Sequence, residues 1–129
     1  KSNQMADPKE HIYIADSDKL IIVYREADKP NTDQVISFFD YVNELADGRE
    51  FHMIINLSKA SPPSSAVRHE FKKGFKNLDK FVKTYSIFFG KNFLLKITAK
   101  FVGSSIGLEN YKTYNSIQEA IDYINTNEE

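Results

Sequence analysis

Two spacings of apolar residues alternate along this chain. Short runs rich in β-branched and aromatic residues predict strands, and segments with an apolar residue every three or four positions predict helices. The predicted strands are His11–Ala15, Leu20–Tyr24, Phe51–Leu57, Tyr85–Phe89 and Tyr111–Tyr114. The predicted helices are Thr32–Asp47, Ser64–Phe81, a third between Asn92 and Gly103, and a fourth after Ser116. The order β-β-α-β-α-β-α-β-α predicts an α/β fold, a mostly parallel sheet of about five strands with helices packed on it.

The length of 129 residues suits a single domain. We expect residues 10–126 to form it, residues 1–9 to be a disordered tail or an added segment, and residues 127–129 to be a polar tail. Apolar residues make up 41% of the chain, enough for a packed core, and there is no Cys. The longest apolar runs have four or five residues, whereas a membrane span needs about 20. With no signal-like segment at its start, the sequence predicts a cytoplasmic protein without a membrane span.

One stretch organises the chain: the apolar run Phe51–Leu57, a turn rich in Ser and Pro, and the amphipathic helix Ser64–Phe81. The loop after the carboxyl end of a parallel strand is a common place for ligands and partners. The candidate phosphorylation or docking residues in it are Ser58, Ser61, Ser64 and Ser65. A phosphoserine at the start of a helix is favoured by the helix dipole and the free amides. The alternative is that one of these serines only caps the helix.

The basic residues are concentrated in one part of the chain. Residues 59–100 hold ten of the 17 basic and two of the 18 acidic residues, a formal charge of +8, against −9 for the remainder. The candidate partner- or anion-binding residues on the second helix are Arg68, Lys72, Lys73 and Lys76, continued by Lys80. They lie opposite its apolar face and predict a protein partner with an acidic surface, which includes a second copy of this chain. The alternative is an ordinary solvated face. Nucleic acid fits poorly, because the chain has no Trp and no exposed aromatics interleaved with the basic residues.

Sequence motifs for catalysis, metals and nucleotides are absent. There is no H-E-x-x-H, no G-x-G-x-x-G and no Walker loop, and the three His are scattered. The segment Gly103–Gly107 matches G-x-S-x-G, but a nucleophile elbow needs a strand before it and a helix after it, the reverse of the order predicted here. We therefore expect no enzymatic activity, no cofactor and no metal.

The element order and two local patterns resemble the SpoIIAA-like fold of STAS domains, the family of anti-sigma-factor antagonists, over about residues 10–126. Asn56-Leu57-Ser58 stands where such domains end a strand with Asp-Leu-Ser, and the segment Tyr114–Ile121 is similar to their closing strand, Ser-x-x-Glu-Ala and helix. In the antagonists a kinase phosphorylates the first Ser of an Asp-Ser-Ser-Gly segment. The resemblance places Ser65 at that serine, with Ser64 in place of the Asp and Val67 in place of the Gly. It implies a chain closer to the uncharacterised bacterial STAS-like proteins than to a true sigma-factor antagonist.

Two functions follow as hypotheses. The first is a non-catalytic interaction or regulatory module of STAS type that presents the Ser58–Ser65 loop to a protein partner and responds to phosphorylation there. The second is a small-molecule or lipid carrier, since lipid-transfer domains share a related fold. The Phe residues that could line its apolar cavity are Phe71, Phe75, Phe81, Phe88, Phe89, Phe93 and Phe101. Close packing of protein interiors favours a filled core instead.

Overall fold

The computed structural model describes residues 7–97, 103, 104, 107, 108 and 110–127. Its strands are β1 Ile12–Ile14, β2 Ile21–Arg25, β3 Phe51–Asn56, β4 Val82–Phe88 and β5 Lys112–Tyr114. Its helices with defined bounds are α1 Thr32–Ala46, α2 Ser65–Leu78, α3 Phe93–Ile97 and α4 Ile117–Thr126, and Pro8–Glu10 form one turn of 3-10 helix. The predicted third helix continued through residues 98–102, which lie outside the described residues.

The strands lie in the sheet in chain order, β1-β2-β3-β4-β5. The pair β1–β2 is antiparallel, and the pairs β2–β3, β3–β4 and β4–β5 are parallel. The predicted α/β class and mostly parallel five-stranded sheet are confirmed. The carboxyl ends of β2, β3, β4 and β5 meet at one edge of the sheet, which we call the carboxyl edge.

The two faces of the sheet are covered differently. Crossovers of one hand between consecutive parallel strands place their helices on the same face, and α1, α2 and Leu95 of α3 all pack into one large core there. Helix α4 follows the edge strand and covers the opposite face through Ala120, Ile121 and Ile124. Strand β3 is buried on both faces from Phe51 to Ile55, which explains its continuous apolar run.

The junction between α2 and β4 differs from the prediction. Helix α2 ends at Leu78 and not at Phe81, and β4 begins at Val82 and not at Tyr85. The Phe81 amide donates to the Leu78 carbonyl in a tight turn (2.8 Å), and the Phe81 carbonyl already accepts from the Phe51 amide of β3 (2.9 Å). Phe81 still packs against the core. The sequence pattern therefore identified Phe81 correctly as a buried residue but placed it wrongly in the helix.

Within the described part of the chain, no helix is both long and apolar enough to cross a membrane.

Candidate functional site at the carboxyl edge

Three loops meet at the carboxyl edge, and side-chain hydrogen bonds tie them together. Asn92, which follows β4, donates from its amide nitrogen to the carbonyl oxygens of Leu57 and Ala60 in the β3–α2 loop, both at 2.8 Å. The Ser61 hydroxyl donates to Oδ1 of Asp28 in the β2–α1 loop at 2.7 Å. The β3–α2 loop, residues 57–64, is therefore held from both sides.

Ser58 and Ser61 serve mainly to brace this loop. Oδ1 of Asn56 accepts from the Ser58 amide at 3.0 Å and from the Ser58 hydroxyl at 2.7 Å, which is the turn that an Asp or Asn at the end of a strand commonly makes. The Ser58 side chain also lies against Gly90, where an added Cβ would come within 2.9 Å of the Ser58 Cβ. Both serines are half-buried.

Ser64 and Ser65 are exposed at the start of α2. Ser64 is the N-cap, and its hydroxyl oxygen accepts from the Val67 amide at 3.3 Å. Ser65 is the first helical residue, and its hydroxyl oxygen accepts from the Arg68 guanidinium at 3.3 Å, which also donates to the Pro63 carbonyl at 3.1 Å. We call Pro63–Arg68 the serine corner. Within it, Ser64 has a structural role, and Ser65 lies on the surface with a cation already beside it.

The three candidate lysines extend from the serine corner along α2. Lys72, Lys73 and Lys76 are exposed, and Lys73 forms an ion pair with Glu70 at 3.7 Å. Arg68 differs from them, because it is half-buried and folds back onto the corner. The structure brings Arg68 together with Ser65. Lys76 lies about three helical turns beyond Ser65.

A buried carboxyl group beneath the loop was missed by the sequence analysis. Glu26 follows β2 and is only 6% exposed. Its Oε1 accepts from the Tyr24 hydroxyl at 3.1 Å and from the Ala27 amide at 3.2 Å. Burial raises the pKa of Glu26 to about 8, while these two hydrogen bonds lower it by less. Burial also raises the pKa of Tyr24, with the Glu26 carboxyl adding to the effect. The Glu26 side chain is thus mostly protonated at neutral pH.

One signal in the sequence could have revealed Glu26. Side chains of a strand alternate between faces, and Ile22 and Tyr24 both point into the large core. Glu26 is two positions further along, so the same alternation places it on the buried face. Because Glu is charged, the sequence pattern assigned it to the polar segment after the strand.

A small cavity separates Glu26 from the loop. Its lining includes Glu26, Ser61, Pro63, Phe71 and Leu95, and its volume is about 20 Å³. That is room for about one water molecule, which can hydrogen-bond to the Glu26 carboxyl group. Among the described residues, no group of three or more His, Asp or Glu side chains is placed to hold a metal ion.

The Phe residues proposed to line a carrier cavity lie in different surroundings. Phe71 and Phe75 stack at 6.1 Å, and each makes an edge-to-face contact with Phe39 of α1. Phe89 is buried, Phe81 and Phe88 are half-buried, and Phe93 is 67% exposed. Phe101 lies outside the described residues.

A larger hollow lies at the β5 side of the sheet, between β4, β5 and α4. It is an open groove of about 550 Å³. None of the seven Phe residues is part of its lining, which includes Lys83, Tyr85, Tyr111, Lys112 and Tyr123. Lys112 donates to the Tyr123 hydroxyl at 2.6 Å and lies over its ring.

Comparison with known proteins gives no assignment to set beside this geometry. No protein-family model matches the chain, and no curated protein matches it at a statistically significant level.

Proposed function

We propose that this chain is a non-catalytic regulatory module that binds a protein partner through the serine corner and the basic face of α2, and that phosphorylation of Ser65 controls this binding. The observation that carries the proposal is the position of Ser65. It is exposed at the first turn of a helix, beside Arg68, directly after a loop braced by Asn92 and Asp28.

A phosphoryl group at Ser65 meets favourable surroundings. It adds a charge of about −1.5 to −2 and three strong acceptor oxygens. The positive end of the α2 dipole and the free amides of its first turn stabilise that charge. Arg68 needs no large movement to donate a charge-assisted hydrogen bond to it, because its guanidinium already contacts the Ser65 hydroxyl.

Ser64 differs from Ser65 because its hydroxyl oxygen is already used. It caps the helix by accepting from the Val67 amide, and phosphorylation would turn this oxygen into an ester oxygen, a weaker acceptor. We therefore assign the regulatory role to Ser65 and a structural role to Ser64.

The expected direction of control follows from charge. An acidic partner is attracted by Arg68, Lys72, Lys73 and Lys76. A phosphoryl group at Ser65 places negative charge at the start of this face and engages Arg68, so it weakens the binding of an acidic partner.

The resemblance to STAS domains belongs to this proposal. Its support is the order of elements in the sheet and the turn at Asn56, whose side chain bonds Ser58 as an Asp in the family pattern can. A bacterial, cytoplasmic setting belongs to it as well: the resemblance implies the bacterial origin, and the absence of Cys agrees with a reducing compartment.

The test compares partner capture by the wild-type chain, Ser65→Ala and Ser65→Glu, each immobilised and exposed to lysate under identical conditions. We expect Ser65→Ala to capture the same proteins as the wild type and Ser65→Glu to lose at least one of them. Ser104→Glu is the matched control, because Ser104 is an exposed serine outside the corner. Intact-mass measurement after co-expression with kinases locates the modification. Identical profiles for all four chains refute the role of Ser65.

A small-molecule carrier is the second candidate, and the groove on the α4 face is the observation that favours it. Its volume of about 550 Å³ is within the range of ligand sites, whereas the cavity near Phe71 holds about one water. Native mass spectrometry of the purified chain tests this function, which predicts a co-purifying small molecule. Lys112→Ala and Tyr123→Ala should release that molecule. A chain of bare mass, or release by neither variant, contradicts carriage in this groove.

A further inference from the structure

The two helices that lie side by side over the large core present opposite charges to solvent. Helix α1 contains no Lys or Arg, and its exposed side chains opposite the core include Asp33, Asp40 and Glu44. The exposed side chains of α2 and the turn that follows it, on the side opposite the core, include His69, Lys73, Lys76 and Lys80. This surface is therefore acidic along one helix and basic along its neighbour.

Lys73 pairs with Glu70 of its own helix, but the other charges of this surface have no ion-pair partner in the described part of the chain. Among the described residues the ion pairs are Lys73–Glu70 and Lys83–Glu50. Neither joins α1 to α2, and the acidic side chains of α1 have no basic partner in this part of the chain. We call the exposed acidic side chains of α1 the acidic stripe, and Lys73, Lys76 and Lys80 the basic stripe. Both stripes carry charge that can attract another molecule.

The stripes also match in height along the helix axes. Phe39 of α1 lies directly against Gly74 of α2, where an added Cβ would come within 2.4 Å of the ring. Asp40, the next residue, is thus level with Gly74 and lies between the heights of Lys73 and Lys76. Glu44, one turn further, lies between the heights of Lys76 and Lys80.

We infer that this face binds a second copy of the chain about a two-fold axis that runs parallel to α1 and α2, over the groove between them. Such an axis preserves height along the helices and places α1 of each copy over α2 of the other. Asp40 and Glu44 of one copy then meet lysines of the other, twice by symmetry. The other in-plane axis, perpendicular to the helices, places α1 over α1 and α2 over α2, where like charges repel.

An apolar side chain lies close to this axis. Ile36 is 43% exposed and lines the groove of about 200 Å³ between α1 and α2. A residue beside the axis faces its own copy across it, so the two Ile36 side chains give the dimer a small apolar centre.

The size of the surface indicates a weak complex. With 15 residues, α1 is about 22 Å long, and two neighbouring helices are about 20 Å wide. The product, about 440 Å² per copy, is well below the roughly 800 Å² per partner of a stable complex. We expect a dimer that forms at high protein concentration and low salt.

This inference deepens and rests on the proposed function, because it names a second copy as one partner of the basic face. Dimerisation and capture of a different partner then compete for the same lysines.

The experiment is sedimentation equilibrium of the full chain from about 10 µM to 1 mM, concentrations at which weak complexes become populated. We expect the wild type to dimerise at low salt and its Kd to rise about tenfold or more between 20 and 500 mM NaCl, since salt screens exposed charges. Reversal of α1 (Asp40→Lys with Glu44→Lys) and reversal of the basic stripe (Lys76→Glu with Lys80→Glu) should each abolish dimerisation. The control Asp122→Lys, an exposed position on α4, should leave it unchanged.

Two further measurements make the result decisive. A chain that carries all four reversals should dimerise again but should not associate with the wild type. An equimolar mixture of the two half-reversed chains should form a heterodimer. A wild type that stays monomeric at 1 mM and low salt overturns the inference, as does a half-reversed chain that still dimerises or a mixture that does not associate. None of these variants changes Ser65, so the capture experiment with the Ser65 variants tests the proposed function separately, whether or not the dimer forms.

Discussion

Replacing Glu26 by Gln should remove most of the pH dependence of this protein's stability. Glu26 is 6% exposed, and burial raises its pKa from 4.5 to about 8. The folded chain therefore holds a proton on Glu26 that the unfolded chain has released between these two pH values. Stability falls as pH rises wherever the folded state binds more protons, so the favourable contribution is fully present below about pH 4.5 and is lost by about pH 8.

The magnitude follows from the same pKa values. One pKa unit corresponds to about 1.36 kcal/mol, so the rise from 4.5 to about 8 is worth about 5 kcal/mol in all. Of this, about 4 kcal/mol should be lost between pH 5 and pH 9. Water that enters beside the carboxylate reduces the loss, because the cavity next to Glu26 has room for about one molecule.

The assay is urea unfolding followed by circular dichroism at pH 5, 7 and 9. A Gln side chain has nearly the same shape and keeps an acceptor oxygen for the Tyr24 hydroxyl and the Ala27 amide. Glu26→Gln should match the wild type at pH 5 and exceed its unfolding free energy by several kcal/mol at pH 9. Glu10→Gln, at an exposed position, is the control and should follow the wild type. If wild type and Glu26→Gln lose stability in parallel from pH 5 to pH 9, Glu26 is not the buried proton-holding group.

Three further substitutions test the packing and the loop. Gly74→Ala should lower the unfolding free energy by about 1–3 kcal/mol, because the added Cβ would come within 2.4 Å of the buried Phe39 ring. This cost should exceed the gain of about 1 kcal/mol that Ala brings to a helix, and chemical denaturation measures the difference. Asn92→Ala should cost about 1–3 kcal/mol, since it removes the side-chain donor that two loop carbonyls share, and among the described residues only the Leu57 carbonyl keeps another bond, from the Ala60 amide. Hydrogen exchange should report faster opening of the β3–α2 loop. Ser64→Ala should lower the unfolding free energy by about 1 kcal/mol, because it removes the helix cap, whereas Ser65→Ala should change it by less than about 0.5 kcal/mol. Equal costs in urea unfolding would contradict the separate roles assigned to the two serines.

Features with local causes could be predicted from the sequence. The predicted start of α1 at Thr32 agrees with the structure because the signal lies within four residues: Asn31 accepts from the Gln34 amide, and Gln34 reaches back to the Asn31 amide. Strand β3 was recognisable because burial on both faces requires a continuous apolar run.

Features that depend on distant parts of the chain could not be predicted. Asn92 reaches carbonyl groups 32 and 35 residues earlier in the sequence, a contact that exists only once β3 and β4 have paired. The matched heights of the charged side chains on α1 and α2 depend on the contact between Phe39 and Gly74, which no pattern within either helix contains. The charges themselves were visible in the sequence.

The central claim, that a partner binds at the serine corner, is tested most directly by site-specific photocrosslinking. A photoreactive amino acid placed at Ala66, an exposed position within the corner, is compared with the same group at Asp122, exposed on α4 at the opposite face of the sheet. The account predicts that the chain with the group at position 66 crosslinks to a partner, that Ser65→Glu in the same chain abolishes the crosslink, and that position 122 gives none. Crosslinks at position 122 that persist with Ser65→Glu, together with none at position 66, would contradict it.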